Sequence, residues 1–154
     1  MTRSSWAALD PGRSKCGLVR SDHGQEQVIQ ALIEPATTCL EQLTRWRIDG
    51  LEGVVVGDGT SSADWPERLR KLGLSVVMVN ERGSTLAARQ RYWELIPPRS
   101  WRRLLPSGLR LPPRAIDDVV AQLLLERWLG RALRRSPALE KHLQDQELRR
   151  RIQK

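Results

Sequence analysis

Cysteine and histidine are scarce in this chain, and long apolar runs are missing. Two cysteines among 154 residues are too few for a disulfide framework, and no second pair completes a zinc site. Cys16 and Cys39 therefore read as buried free thiols. The two histidines, His23 in a turn and His142 near the end, have no partners at catalytic spacing and read as surface residues. No apolar stretch approaches the roughly 20 residues of a membrane span, and the opening MTRSSWAALDPG has no apolar core of signal-peptide length before its first acid. The expectation is a cytoplasmic protein with no membrane partner. No internal repeat is present.

What the chain has instead is arginine. It supplies 22 of the 26 basic residues, and the formal net charge is +8 with a pI near 10.7. Residues 1–80 hold 9 basic and 10 acidic side chains, whereas 81–154 hold 17 and 8. Arginine suits bidentate phosphate contact, so the second half is expected to meet a polyanion, nucleic acid first. A hydrophobic fraction of 40% and a charged fraction of 29% are those of a globular chain of one-domain length.

Patterning then orders the elements. Trp6–Asp10 is an apolar run ending in an acid before Pro-Gly, Cys16–Ser21 is a second strand, and Gln27–Ile33 a third after the turn Asp22-His23-Gly24, an antiparallel meander. Thr37–Ile48 has helical apolar spacing through Cys39, Leu40, Leu43 and Trp46, with Thr37-Thr38 as the expected cap. Gly53–Gly57 and Leu74–Val79 are wholly apolar strands, expected to be buried on both faces and paired in parallel, joined by a helix over Ala63–Leu72. A further helix starts at Ser84 or Thr85 and stops before Pro97-Pro98. The stretch 97–113 holds five prolines and four arginines and is predicted to be a stiff basic loop. A long helix opens near Arg114–Asp118 and ends near Gly130–Leu133; after it, 136–154 is a charged helical tail with Pro137 at its first position. The division expected is one folded domain over 1–135 and this tail.

The expected fold is α/β, a five-stranded mixed sheet of three antiparallel then two parallel strands flanked by helices. Such a sheet sets the ends of the first and fourth strands side by side. Asp10 stands at one end, Asp58 or Glu81 just past the later strands, and Asp117 on the first turn of the long helix. Three carboxylates arriving from separate elements suit Mg²⁺ or Mn²⁺, whose two-ion sites activate water at a phosphodiester. Asp118 is the alternative to Asp117, and adjacent helical residues point about 100° apart, so at most one of them faces the ions. Asp58 is the rival at the strand ends, and Glu41 reads as a solvated face residue.

Asp10-Pro-Gly12 with Gly17 and Ser21-Asp22 resembles the D-x-G-x-x-x-x-G-x-x-x-S-D opening of the YqgF/RuvX family. Asn80-Glu81-Arg82-Gly-Ser84-Thr85 is similar to that family's D-E-R-x-S/T-T segment, and Ile116-Asp117-Asp118-Val-Val-Ala121 to its V-D-x-x-A-A helix. The three motifs fall in order over residues up to about 133. The resemblance implies an RNase H-like fold and a pre-16S rRNA nuclease, with Holliday-junction resolvase as the family's older label. It also implies that Asp10, Glu81 and Asp117 are the metal-binding, catalytic acids and that Arg82 meets the scissile phosphate. Three departures stand out: Asn80 replaces an aspartate, Gly57-Asp58-Gly59 stands where G-L-P is frequent, and only one alanine of the helix motif is present.

Nucleic-acid contacts are expected from Arg82, Arg99, Trp101, Arg102, Arg103, Arg110 and Arg114. Trp101 either stacks on an unpaired base or pins the loop to the body. Trp46 and Trp128 read as core, and Arg149-Arg150-Arg151 as a solvated run with accessory RNA contact as the lesser alternative. RNA is the favoured partner, within a ribosomal particle or free. A DNA junction resolvase, a non-catalytic binding module and an actin-like ATPase are the alternatives, the last needing a second domain that 154 residues do not supply.

Overall fold

The structure, a computed structural model, describes residues 3–154; Met1 and Thr2 lie outside the described residues. Six strands form one sheet in the order β5-β4-β1-β2-β3-β6. In chain order these are β1 (Ser5–Asp10), β2 (Cys16–Ser21), β3 (Gln27–Glu34), β4 (Leu51–Gly57), β5 (Ser75–Val79) and β6 (Arg134–Arg135). The first three pair antiparallel, and β4 and β5 add in parallel beside β1. This is the mixed α/β arrangement expected, with one strand more. The two-residue β6 runs parallel to the start of β3; an Arg-Arg pair carries no strand pattern, so only the sheet edge reveals it.

The helices are α1 (Ala36–Ile48), α2 (Trp65–Lys71), α3 (Ser84–Leu95), α4 (Asp117–Leu129) and α5 (Pro137–Ile152). Alternation along β1 splits the core into two layers. Ala7 and Leu9 point to α1 and α2, meeting Leu43, Trp46, Trp65 and Leu69. Trp6 and Ala8 point to α4, meeting Ala121, Leu124 and Leu125, and Leu139 of α5 closes this layer. Trp128 stacks on Trp6 with ring centroids 4.2 Å apart. Cys16 and Cys39 are buried free thiols, and His23, His142 and Glu41 are exposed.

Three local expectations change. α1 begins at Ala36 with Pro35 at the N-cap and no side-chain cap bond, because Pro35 already fixes a φ suited to entry. β5 is an edge strand with Met78 exposed; Val76 packs toward the α1–α2 layer and Val77 and Val79 toward the α4 layer, each only half-buried. The 97–113 loop contains two 3₁₀ turns, Ser100–Leu104 and Ser107–Leu109. Among the described residues no helix is long and apolar enough to cross a membrane.

Candidate nucleic-acid cleavage site

The register aligns the site. Asp10 pairs with Gly17 of β2 on one side; on the other, Leu9 pairs with Val56, which brings Gly57 level with Asp10. Both flanking positions lack a side chain, and each absence admits a carboxylate-bearing segment. A Cβ on Gly17 would overlap the backbone carbonyl of Asp117, so the first turn of α4 rests directly on β2. A Cβ on Gly57 would overlap the Glu81 carboxylate and stand 3.1 Å from Leu124 Cδ1. Gly59 likewise leaves room for the Glu81 carboxylate.

Asp10, Glu81 and Asp117 are each half-buried. Burial, reinforced by the charges of Asp117 and Glu81, pushes the Asp10 carboxyl up from 3.8 to about 7. Burial and the nearby Asp58 raise Glu81, while the Gly59 N–H works the other way. Asp10 therefore lies in the field of both other acids, and among the described residues none of the three forms an ion pair within 4.0 Å. Like charges held together without a cation cost stability, and a bound divalent ion relieves that cost.

All-carboxylate donors suit Mg²⁺ or Mn²⁺ in kind. Among the described residues, however, no three His, Cys, Asp or Glu side chains stand close enough to form a complete metal-holding group. The Glu81 carboxylate lies against the Gly57–Gly59 backbone, so the acids converge without closing into a ligand cage.

Asp118 stands apart from them. It is 2% exposed, accepts hydrogen bonds from Arg114 at 2.8 and 3.2 Å and lies 3.0 Å from Arg135 Nη2. Burial works to raise its carboxyl, but the two guanidinium groups outweigh that and hold it below the ordinary range. Asp118, Gln122 and Glu126 form a polar stripe one turn apart on α4. Arg135 Nε donates to Gln122 Oε1 at 2.9 Å, Gln122 Nε2 donates to Glu126 at 3.1 Å, and Arg91 donates to Glu126 at 2.8 and 3.2 Å. This buried ionic chain was not foreseen from the apolar spacing of α4. Its signal is the i, i+4, i+8 series of polar residues, which the apolar count passes over.

Asp58, the rival acid, is exposed and accepts the Glu81 N–H at 3.1 Å, bracing the loop that carries Glu81. Asn80 Oδ1 accepts the Arg82 N–H at 2.7 Å; an amide oxygen performs this acceptor role as a carboxylate would. Arg127 of α4 donates to the carbonyls of Asn80 and Arg82 at 3.0 and 3.3 Å, tying this turn to the helix that carries Asp117. The Arg82 side chain is exposed next to Glu81 in the chain.

The basic loop divides its arginines. Arg99 and Arg103 are exposed. Arg102 lies 5.1 Å from the Trp101 ring centroid. Arg110 donates to the carbonyls of Arg102 and Arg103, both at 3.0 Å. Arg114 is engaged by Asp118 and sits 5.3 Å from the Tyr92 ring centroid. The guanidinium groups of Arg110 and Arg114 thus hold the loop together.

No family model matches the chain, and no curated protein matches it. Among solved structures, Thermus thermophilus RuvC in complex with a Holliday junction substrate is similar, with 15% sequence identity and a TM-score of 0.46 over 85% of this chain and 99% of that one.

Proposed function

We propose that this protein is a divalent-metal-dependent phosphodiesterase acting on structured nucleic acid, with Asp10, Glu81 and Asp117 as the acids that hold Mg²⁺ or Mn²⁺. The supporting observation is that the charges of Asp117 and Glu81 both act on the half-buried Asp10 carboxyl, while among the described residues none of the three acids forms an ion pair. Asp118 is excluded from the role by its two arginines, which agrees with Asp117 as the outward acid of the pair. When bound, the metal would supply charge neutralisation at the phosphodiester and an activated water. The chain's own contribution is to position the acids on the sheet end and the first turn of α4, and to offer Arg82 and the exposed loop arginines Arg99 and Arg103 to phosphates.

Within that class we favour RNA, and the 5′ end of pre-16S rRNA in a cytoplasmic ribosomal particle, on the resemblance of the three motifs to the YqgF/RuvX family. Residues 1–135 would form the nuclease domain and 136–154 a basic accessory helix. The second reading, a junction resolvase, needs two active sites and hence a dimer. Side-by-side cleavage of a precursor rRNA 5′ leader and a synthetic four-way DNA junction separates them, with Asp10→Asn as control. The RNA reading expects metal-dependent cutting of the leader alone. Symmetric nicking of the junction alone favours the resolvase, and cleavage of neither with binding of both overturns the nuclease reading.

A further inference from the structure

Between α3 and α4 the chain runs from Ile96 to Ile116 without a single carboxylate and with five arginines. It also exposes large apolar side chains: Trp101 at 59%, Leu104 at 88%, and Leu109 and Leu111 at 65% each. Exposed apolar groups gathered on one short segment mark a binding surface more often than a resting one.

The segment is held by other residues. Trp93 Nε1 donates to the Arg110 carbonyl at 2.9 Å, the Arg110 guanidinium clamps the carbonyls of Arg102 and Arg103, and Arg114 closes on Asp118. Ser100 adopts a φ of 60° immediately before Trp101, a left-handed conformation uncommon for a residue other than glycine. Trp101 is therefore not the pin that fixes the loop. The Arg102 guanidinium lies over its ring, 5.1 Å from the centroid.

We propose that this segment is a preformed platform for an unpaired nucleotide, on which a base stacks against Trp101 while Arg99 and Arg103 hold the flanking phosphates. The proposal rests on the nuclease reading only for its polyanionic partner. Charge decides the occupant. A second copy would bring two acid-free, arginine-rich faces together, and their repulsion opposes a dimer there. A polyanion with planar apolar faces satisfies both halves of the surface. A duplex shields its base faces by stacking, whereas a single strand, loop or bulge presents them.

The test is metal-free binding in the Asp10→Asn background, read by fluorescence anisotropy. The probes are a labelled oligouridylate of about twelve nucleotides and an RNA duplex of the same length. Trp101 is exposed, so its variants are expected to melt with the parent. The platform predicts tighter binding of the single strand than of the duplex. Trp101→Ala is expected to weaken the single strand about tenfold while changing the duplex by less than about twofold, and Trp101→Phe to restore most of the loss. Arg99→Ala with Arg103→Ala weakens both probes. Equal loss on both probes with Trp101→Ala, no loss on either, or a duplex preference overturns the proposal. A protein dimer that Trp101→Ala dissolves in sedimentation also overturns it and assigns the face to a second copy. Failure to cleave any substrate with this binding pattern intact removes the nuclease reading and leaves the platform standing.

Discussion

Gly17 of β2 and the backbone carbonyl of Asp117 are packed so closely that a methyl group on Gly17 would occupy the carbonyl's place. The obstacle is backbone at the start of a buried helix, which cannot move as a flexible side chain does. Since Gly17 pairs with Asp10, this one contact sets the distance between two of the three acids.

Gly17→Ala is accordingly expected to push the first turn of α4 off the sheet. Overpacking of this kind costs about 1–3 kcal/mol, read as a lower denaturation midpoint. Cleavage should fall further than stability explains, at a temperature where the variant is still folded. A variant as stable and active as the parent would show that the contact does not set the site.

Asp117 and Asp118 are neighbours with opposite expected responses. Removing Asp118 by Asp118→Ala leaves Arg114 and Arg135 without their shared anion, and breaking a buried pair in this way costs about 3–5 kcal/mol. Asp117→Asn relieves repulsion on Asp10, so without metal it should leave stability unchanged or raised while abolishing cleavage. Chemical denaturation of both variants in chelator checks this. Equal destabilisation by the two would contradict the division of roles.

Gly59→Ala separates positioning from folding. The added Cβ meets the tip of the Glu81 side chain, which can swing away at little cost. The fold is expected to lose less than about 1 kcal/mol, whereas displacing an acid's support costs about tenfold to a hundredfold in metal affinity or activity. Metal titration at constant fold, followed by circular dichroism, reads the difference.

The raised Asp10 carboxyl gives the metal-free protein a pH signature. With a folded pKa of about 7 against 3.8 for the ordinary group, the folded state holds a proton that the unfolded state has released between those values. Stability from this group is therefore full below about pH 4 and lost as pH rises toward 7, opposite in sign to the Asp118 contribution, which is lost as pH falls through its lowered pKa. Melting in chelator across pH 4–8 should show a decline attributable to Asp10 that Asp10→Asn removes. An unchanged slope in that variant would contradict the shared field.

The β1–β5 order was legible in the sequence because each strand is an apolar run closed by turn residues, as at Asp10-Pro-Gly12. Asp10, and Asp58 or Glu81, followed from where those runs end, and Asp117 or Asp118 from where the α4 pattern begins; the choice of Asp10, Glu81 and Asp117 came from the motif resemblance. The three-dimensional reason for their meeting did not, since Gly17 and Gly57 act through atoms they lack. Likewise β6 is two arginines whose pairing depends on the free edge of β3. Arg110 and Arg114 read as phosphate contacts by charge, yet a guanidinium reaches a carbonyl or a buried acid as readily, and only the fold says which is near.

Direct titration of Mn²⁺ by calorimetry, in the wild type and in Asp10→Asn, Glu81→Gln and Asp117→Asn, tests the central claim. The account predicts binding by the wild type that each substitution weakens by at least about tenfold, with Asp118→Asn affecting stability before metal affinity. Retention of wild-type Mn²⁺ affinity in all three variants would contradict it, because the three carboxylates would then not be the ones that hold the ion.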